Sequence, residues 1–200
     1  MANNLTTLRN LLLLTLALLG GIVTAYLLSP RPNTSNQSML QTLGGDFTLQ
    51  GIDGDVSLHD FNGKVVMIYI GYTNCPDVCP TSLAIMSQAI KNMDTEQQKQ
   101  IQPIFISVDP ERDTPERLAE YSSFFHPSIL GITGSRDSID TVVRQFGSFY
   151  RMVDMKDSAM GYAVDHSSRI YLIDKQGKLS KTVMHGTMPD QLVTEIEALL

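Results

Sequence analysis

Apolar and polar positions divide this chain into three regions. From Leu11 to Leu28 no residue is charged. At about 1.5 Å of rise per helical residue, that run of about 18 residues reaches about 27 Å, close to the thickness of a bilayer's hydrocarbon core. It is read as a transmembrane signal-anchor behind a short flank, residues 1–10, with a long translocated part after it. A cleaved export signal is the alternative, with Leu11 to Leu19 as its apolar stretch and Val23-Thr24-Ala25 as the small residues a peptidase needs. Both readings carry the rest of the chain out of the cytoplasm. The segment is neither Arg-rich nor amphipathic, so it favours a bacterial envelope over a mitochondrial leader. Residues 29–39 are polar and proline-containing without periodicity, a linker composition. Residues 40–200 are the right size for one domain with one core.

Within that domain, the pattern switches repeatedly between strand and helix periods. Phe47 to Leu49 and Val56 to Leu58, around the turn signals Gly51 to Gly54, predict a hairpin. Val65 to Ile70 and Ile104 to Val108 are continuous apolar runs, as expected of strands buried on both faces. Between them, Leu83, Ile85, Met86, Ala89, Ile90 and Met93 recur at helical spacing, which predicts a helix over 81–93 and hence a β-α-β unit. Asp113-Thr114-Pro115-Glu116 predicts a helix start, with Asp or Thr as the cap and Pro in the first turn, running toward Phe125. A short strand over 129–133, a helix over 135–146, strands over 169–174 and 179–184, and a last amphipathic helix over 189–200 complete the pattern. The expected fold class is α/β. A central sheet flanked by helices, with two cysteines at the end of its first long strand, resembles the thioredoxin fold.

Charge narrows the partners. The net charge is -6, and every acidic residue follows the apolar run, so the exported domain is the more negative part. That argues against nucleic acid and is compatible with cationic partners such as metal ions, or with solubility alone.

Cysteine usage narrows the chemistry. The chain has two cysteines, Cys75 and Cys79, in Gly71-Tyr72-Thr73-Asn74-Cys75-Pro76-Asp77-Val78-Cys79-Pro80. Two thiols this close can form a short disulfide, bind a soft metal, or cycle between the two. A disulfide across so small a loop removes little unfolded-state entropy and is a poor staple. At a helix start, a thiol faces unpaired N–H groups and the positive end of the helix dipole, which favours the thiolate. The spacing is C-x3-C, not the C-x2-C of thiol-disulfide oxidoreductases, so the sulfurs have a different separation. Among the histidines, His59 lies in a polar stretch, His126 at a helix end, and His185 beside Gly186 with Met184 and Met188 near it. His166, in Asp165-His166-Ser167, precedes a buried strand, in the loop that faces the dithiol in thioredoxin-like folds. There Ser168 stands about where oxidoreductases of that fold place a cis-proline. That points to a Cys-Cys-His group.

These segments, with Phe105-Ile106-Ser107-Val108-Asp109-Pro110-Glu111-Arg112-Asp113-Thr114-Pro115, Gly131-Ile132-Thr133-Gly134 and Tyr171-Leu172-Ile173-Asp174, resemble the Sco/SenC family of copper-binding assembly proteins of cytochrome c oxidase. The resemblance runs in order from about Gly45 to Met184. It implies a copper chaperone that binds one copper, as Cu(I) and also Cu(II), through Cys75, Cys79 and His166. It also implies a redox-active disulfide between Cys75 and Cys79, with Asp77 and Asp165 as candidate groups behind the ligands. The partner it implies is subunit II of the oxidase, alongside other envelope copper carriers or thiol reductants. The implied location is the periplasmic side of the bacterial inner membrane, with no enzymatic activity beyond thiol-disulfide reduction. An envelope thiol-disulfide reductase and a copper or redox sensor are the competing functions. A peroxiredoxin is disfavoured, because Thr73 is not at that family's spacing from the cysteine.

Overall fold

The structure, a computed structural model, describes residues 2–28, 43–155, 158 and 160–200. The chain divides into two compact units, Met1–Ser38 and Met39–Leu200. The first contains helix α1, Ala2–Leu28. Its described side chains are those of residues 9–21 and Thr24, and the leucines among them are exposed. Among the described residues no helix is long and apolar enough to cross a membrane. The linker expected over 29–39, and the expected domain start at residue 40, lie outside the described residues.

The second unit opens with a hairpin, β1 Thr48–Gly51 and β2 Gly54–Ser57. A single 3-10 turn, Leu58–Phe61, takes up Leu58, which the sequence had placed on the strand. Strand β3, Val65–Gly71, is buried at all seven positions, which is why its apolar run shows no alternation. Helix α2, Val78–Asn92, begins three residues earlier than its apolar stripe suggested. A short helix α3, Thr95–Lys99, then leads to β4, Ile101–Ser107. Helix α4, Pro115–Phe125, is capped by Thr114, whose side chain accepts from the Arg117 N–H. Strand β5, Leu130–Ile132, and helix α5, Arg136–Gln145, with Ser135 as its cap, fall where their patterns put them. After a hairpin discussed below, β8 Arg169–Ile173, β9 Leu179–Met184 and helix α6 Pro189–Glu197 close the fold.

The main sheet has the order β5-β4-β3-β8-β9. β3, β4 and β5 run parallel, while β8 is antiparallel to β3, and β9 to β8. This is the mixed α/β, thioredoxin-like arrangement expected, with β3 at the centre and α2 packed against α6. Met67, Ile68, Tyr69 and Ile70 are fully buried. At roughly 1.5–3 kcal/mol for each large side chain, this one strand is a major source of stability. It also fixes the point where the Cys75 loop leaves the sheet.

One hairpin was not anticipated. Residues 150–166 form β6, Tyr150–Met155, and β7, Gly161–His166, paired only with each other. His166 is therefore not in a loop, as the sequence reading had it. It is the last residue of β7, opposite Tyr150, and the turn before β8 is Ser167-Ser168. β6 is largely exposed and β7 fully buries only Val164, so the pair carries little of the apolar alternation that marks a half-buried strand.

Candidate metal and thiol centre

Gly71 ends β3, and its carbonyl accepts from the Val108 N–H. A Cβ there would sit 2.5 Å from the Cys79 Sγ, with the Tyr69 and Phe105 rings at 3.1 and 3.2 Å. Only glycine lets the sulfur rest against the strand end. The chain then turns, with the Cys75 N–H donating weakly to the Tyr72 carbonyl at 3.4 Å. α2 begins so that Cys79 lies in its first turn, next to Pro80, whose missing N–H is no loss there. Cys75 stands outside the helix, so the two sulfurs do not share a helical face as i and i+4. The turn brings them together.

The Sγ atoms of Cys75 and Cys79 and a ring nitrogen of His166 all lie within 4.8 Å of one another. Both cysteines are free thiols. The His166 Nε2 is 3.2 Å from the Cys79 Sγ, while its Nδ1 is 3.2 Å from the Ser167 carbonyl oxygen. A carbonyl only accepts, so Nδ1 carries the proton and Nε2 turns its lone pair toward the sulfurs. Tyr69 and Tyr72 meet the imidazole edge-on, at centroid distances of 6.2 and 5.8 Å. Tyr72 is itself held by the Val164 N–H, which donates to its hydroxyl. The ring is thus fixed on three sides before any ligand binds.

The two thiols are not equivalent. Hydrogen bonding from the Cys79 thiol, with the backbone N–H groups of Asp77 and Cys79 donating as well, holds the Cys75 pKa well below the ordinary thiol range against the opposing effect of burial. Burial, and then donation to Cys75, push Cys79 well above the ordinary thiol range. Sequence position alone offers the helix-terminus effect to both thiols. In the structure the residue ahead of the helix receives it, and the residue inside the first turn does not. Cys75 is also the more accessible thiol, 9% exposed against 0% for Cys79. At pH 6 an ordinary thiol of pKa about 8.5 is only about 0.3% thiolate, whereas a thiol with a lowered pKa stays ionised until the pH falls toward that value. Brief iodoacetamide treatment of the reduced protein at pH 6 should therefore label Cys75 and spare Cys79 by peptide mass spectrometry. Equal labelling, or labelling of both only above pH 8, would contradict this assignment.

Of the two acids expected behind the ligands, one pairs elsewhere. The Asp77 side chain makes no cap hydrogen bond. The Asp165 carboxylate pairs with Arg151 across the hairpin at 2.6 Å. Neighbouring strand residues point to opposite faces, so Asp165 cannot stand behind His166 on the same side. His59 and His126 do not join the group: the first accepts from Asn62, and the second contacts Ser128 at a helix end.

The acids that do support the centre are Asp109 and Asp113, which local sequence explains equally well as caps. Both are completely buried. Asp113 accepts from the Thr73 N–H at 2.9 Å and from the Thr73 and Ser107 hydroxyls, each at 2.5 Å. Arg117 lies against the same group and donates to the Thr73 hydroxyl and the Asn74 side chain. Asp109 accepts from the Tyr162 hydroxyl at 2.6 Å and from Arg112. Arg112 also donates to the Tyr162 carbonyl and stacks over the Tyr162 ring at 3.7 Å. The segment after β4 thus holds the Cys75 loop with one carboxylate and the His166 hairpin with the other. A cleft of about 420 Å³ lies elsewhere, lined by β9 and α6, and does not overlie the thiols.

A sequence model of the family described as SCO1/SenC matches residues 35–200. The SCO2-like protein RC0895 of Rickettsia conorii is 40% identical over 152 residues, covering 76% of this chain and 74% of that relative. Bradyrhizobium japonicum ScoI, solved with copper bound, is similar at a TM-score of 0.72 and 35% identity, covering 79% of this chain and 99% of the other. BsSco, a member of the Sco family of cytochrome c oxidase assembly proteins in which a disulfide switch was identified, is similar at a TM-score of 0.62 and 26% identity, covering 80% and 94%. The match takes in both cysteines, the histidine and the buried segment that braces them, and the chain belongs to the SCO1/SenC family.

Proposed function

We propose that the protein is a copper chaperone for cytochrome c oxidase assembly, holding one copper ion between Cys75, Cys79 and His166. The carrying observation is the convergence of two sulfurs and one imidazole nitrogen within 4.8 Å. At bonds of about 2.0–2.3 Å, as thiolates and imidazoles make to zinc, two ligands of one ion lie at most about 4.6 Å apart. Little movement separates the apo arrangement from a shared ion. Structural zinc takes four ligands, and among the described residues no fourth His, Cys, Asp or Glu joins the three. Two thiolates and an imidazole suit three-coordinate Cu(I), and the nitrogen extends the donor set to Cu(II). Metal binding displaces the Cys79 proton, which the apo protein directs at the Cys75 sulfur.

The recipient we infer is the binuclear copper centre of oxidase subunit II. We infer a location on the periplasmic face of the inner membrane, with the uncharged sequence run Leu11 to Leu28 as the anchor. Length and the absence of charge support that anchor.

One observation supports a second use of the same sulfurs. A Cys75 thiolate, the more exposed of the two sulfurs, beside a protonated Cys79 is the pair that thiol-disulfide exchange needs. Cys75 would attack a substrate disulfide to give a mixed disulfide. Cys79 would then displace the substrate thiolate, leaving a Cys75–Cys79 disulfide and a reduced dithiol on the substrate.

A titration of the full chain separates holding copper from lacking it. The reduced protein is expected to bind about one Cu(I) under anaerobic competition with a chromophoric chelator, and the protein oxidised to the Cys75–Cys79 disulfide is expected to bind essentially none. Equal binding by both forms would sink the assignment, because the metal would then not depend on the sulfurs.

A further inference from the structure

The turn between β9 and α6 holds a second group of soft donors. Met184 ends β9, His185 follows it, and Met188 immediately precedes α6. The Met184 carbonyl accepts from the Thr187 N–H at 3.3 Å and from its hydroxyl at 2.8 Å. Gly186 supplies the positive φ of 84° that a tight turn of this kind requires. The turn closes Thr187, the neighbour of Met188, onto Met184. Met184 and Met188 are 60% and 63% exposed, whereas Met67, Met86 and Met93 are buried in the core. A methionine normally serves to fill a core, so two presented to solvent on either side of an imidazole have no packing role there.

His185 ties this turn to the main centre. Its N–H donates to the Ser168 carbonyl at 3.1 Å, two residues beyond His166. Its Nδ1 is 3.2 Å from the hydroxyl of Ser82, one helical turn beyond Cys79. In the sheet, Met184 is the register partner of Arg169, at the start of the strand that follows the His166 turn. His185 therefore stands beside both segments that carry the principal ligands, and Met184 beside the start of β8.

We propose that Met184, His185 and Met188 form a second, weaker Cu(I) site, a landing and hand-off point next to the Cys75–Cys79–His166 centre. Thioethers and imidazole are soft, neutral donors that select Cu(I) over harder ions. Without a thiolate they hold it less tightly, as a transfer station requires. The biological purpose rests on the copper-chaperone reading, but the binding chemistry does not.

The test uses the full chain with Cys75→Ser and Cys79→Ser, carbon-13 labelled at the methionine methyl groups and given Cu(I) anaerobically as its acetonitrile complex. The expected result is binding that bicinchoninic acid strips more easily than from the unsubstituted protein, with shifts confined to the Met184 and Met188 methyl signals. Adding Met184→Leu and Met188→Leu should abolish that binding while leaving the folded-state spectrum in place. In the chain with its cysteines intact, the same two leucines should leave the thiolate-to-Cu(I) ultraviolet absorption unchanged. Methyl signals of Met184 and Met188 that stay still at saturating Cu(I), or binding that survives both leucines, would overturn the proposal. Failure of the principal site would appear instead as missing thiolate absorption in the unsubstituted protein, so the two readings fail separately.

Discussion

Replacing His166 with Ala is expected to weaken copper binding at least about 100-fold and to remove the ability to hold Cu(II), with the domain still folded. Losing a group that merely orients a metal ligand already costs 10–100-fold, so losing the ligand itself belongs at or beyond the top of that range. A 100-fold loss corresponds to about 2.7 kcal/mol. The geometry explains why no neighbour can compensate. Nε2 is the atom 3.2 Å from the Cys79 sulfur, and the groups beside it are the rings of Tyr69 and Tyr72, met edge-on. The fold should survive because the imidazole, apart from its contact with the Cys79 sulfur, makes edge contacts with those rings and a hydrogen bond to the adjacent Ser167 carbonyl. Chelator competition for Cu(I), and the visible absorption of the Cu(II) form, would measure the change. Unchanged affinity and an unchanged spectrum would remove His166 from the site. The same variant distinguishes the two uses of the sulfurs. Exchange with a disulfide peptide needs only Cys75 and Cys79, so it should persist in His166→Ala while copper retention is lost.

How much of this was legible in the sequence varied with how local its cause is. β3 could be read because a strand covered on both faces must be apolar at consecutive positions, and Val65 to Ile70 is. The start of α4 could be read because Thr114 and Pro115 act within one turn. The cysteines and His166 stood out as motifs, although motif logic put His166 in a loop. The β6–β7 pair that carries it has too little buried face to imprint an alternating pattern. Asp113 illustrates the limit most clearly. An acid beside Thr-Pro looks like a helix cap, and nothing nearby shows that its partner is Thr73, 40 positions earlier. Asp165 shows the opposite error. Adjacency to His166 suggested cooperation, but strand geometry turns the two side chains apart and gives Asp165 to Arg151. The cysteine electrostatics were legible in kind but not by residue, because which sulfur faces the helix N–H groups depends on where the helix begins.

Asp113→Ala should lower the stability of the reduced, copper-free domain by about 3–5 kcal/mol, the usual cost of removing one partner from a buried charged network. The residue is fully buried and terminates three short hydrogen bonds, from the Thr73 N–H and from the hydroxyls of Thr73 and Ser107. Truncation leaves those donors without an acceptor, at about 1–3 kcal/mol for each group that neither water nor rearrangement satisfies. It also takes away the carboxylate beside Arg117, 3.6 Å from the guanidinium. Asp113→Asn keeps the shape and one acceptor oxygen, so it should cost clearly less than the alanine. The site should suffer along with the fold, because Thr73 lies two residues before Cys75 and is pinned to Ser107, the last residue of β4, only through this carboxylate. Copper affinity should therefore fall in Asp113→Ala even where the protein remains folded, and selective labelling of Cys75 at pH 6 should fade as the loop loosens. Urea denaturation under reducing conditions measures the first effect, and chelator competition with peptide mapping measures the second. A stability within about 1 kcal/mol of the unsubstituted protein, the range of ordinary surface changes, would show that Asp113 is not the brace. A large loss of stability with unaltered copper affinity and labelling would show that it braces the core but not the metal centre.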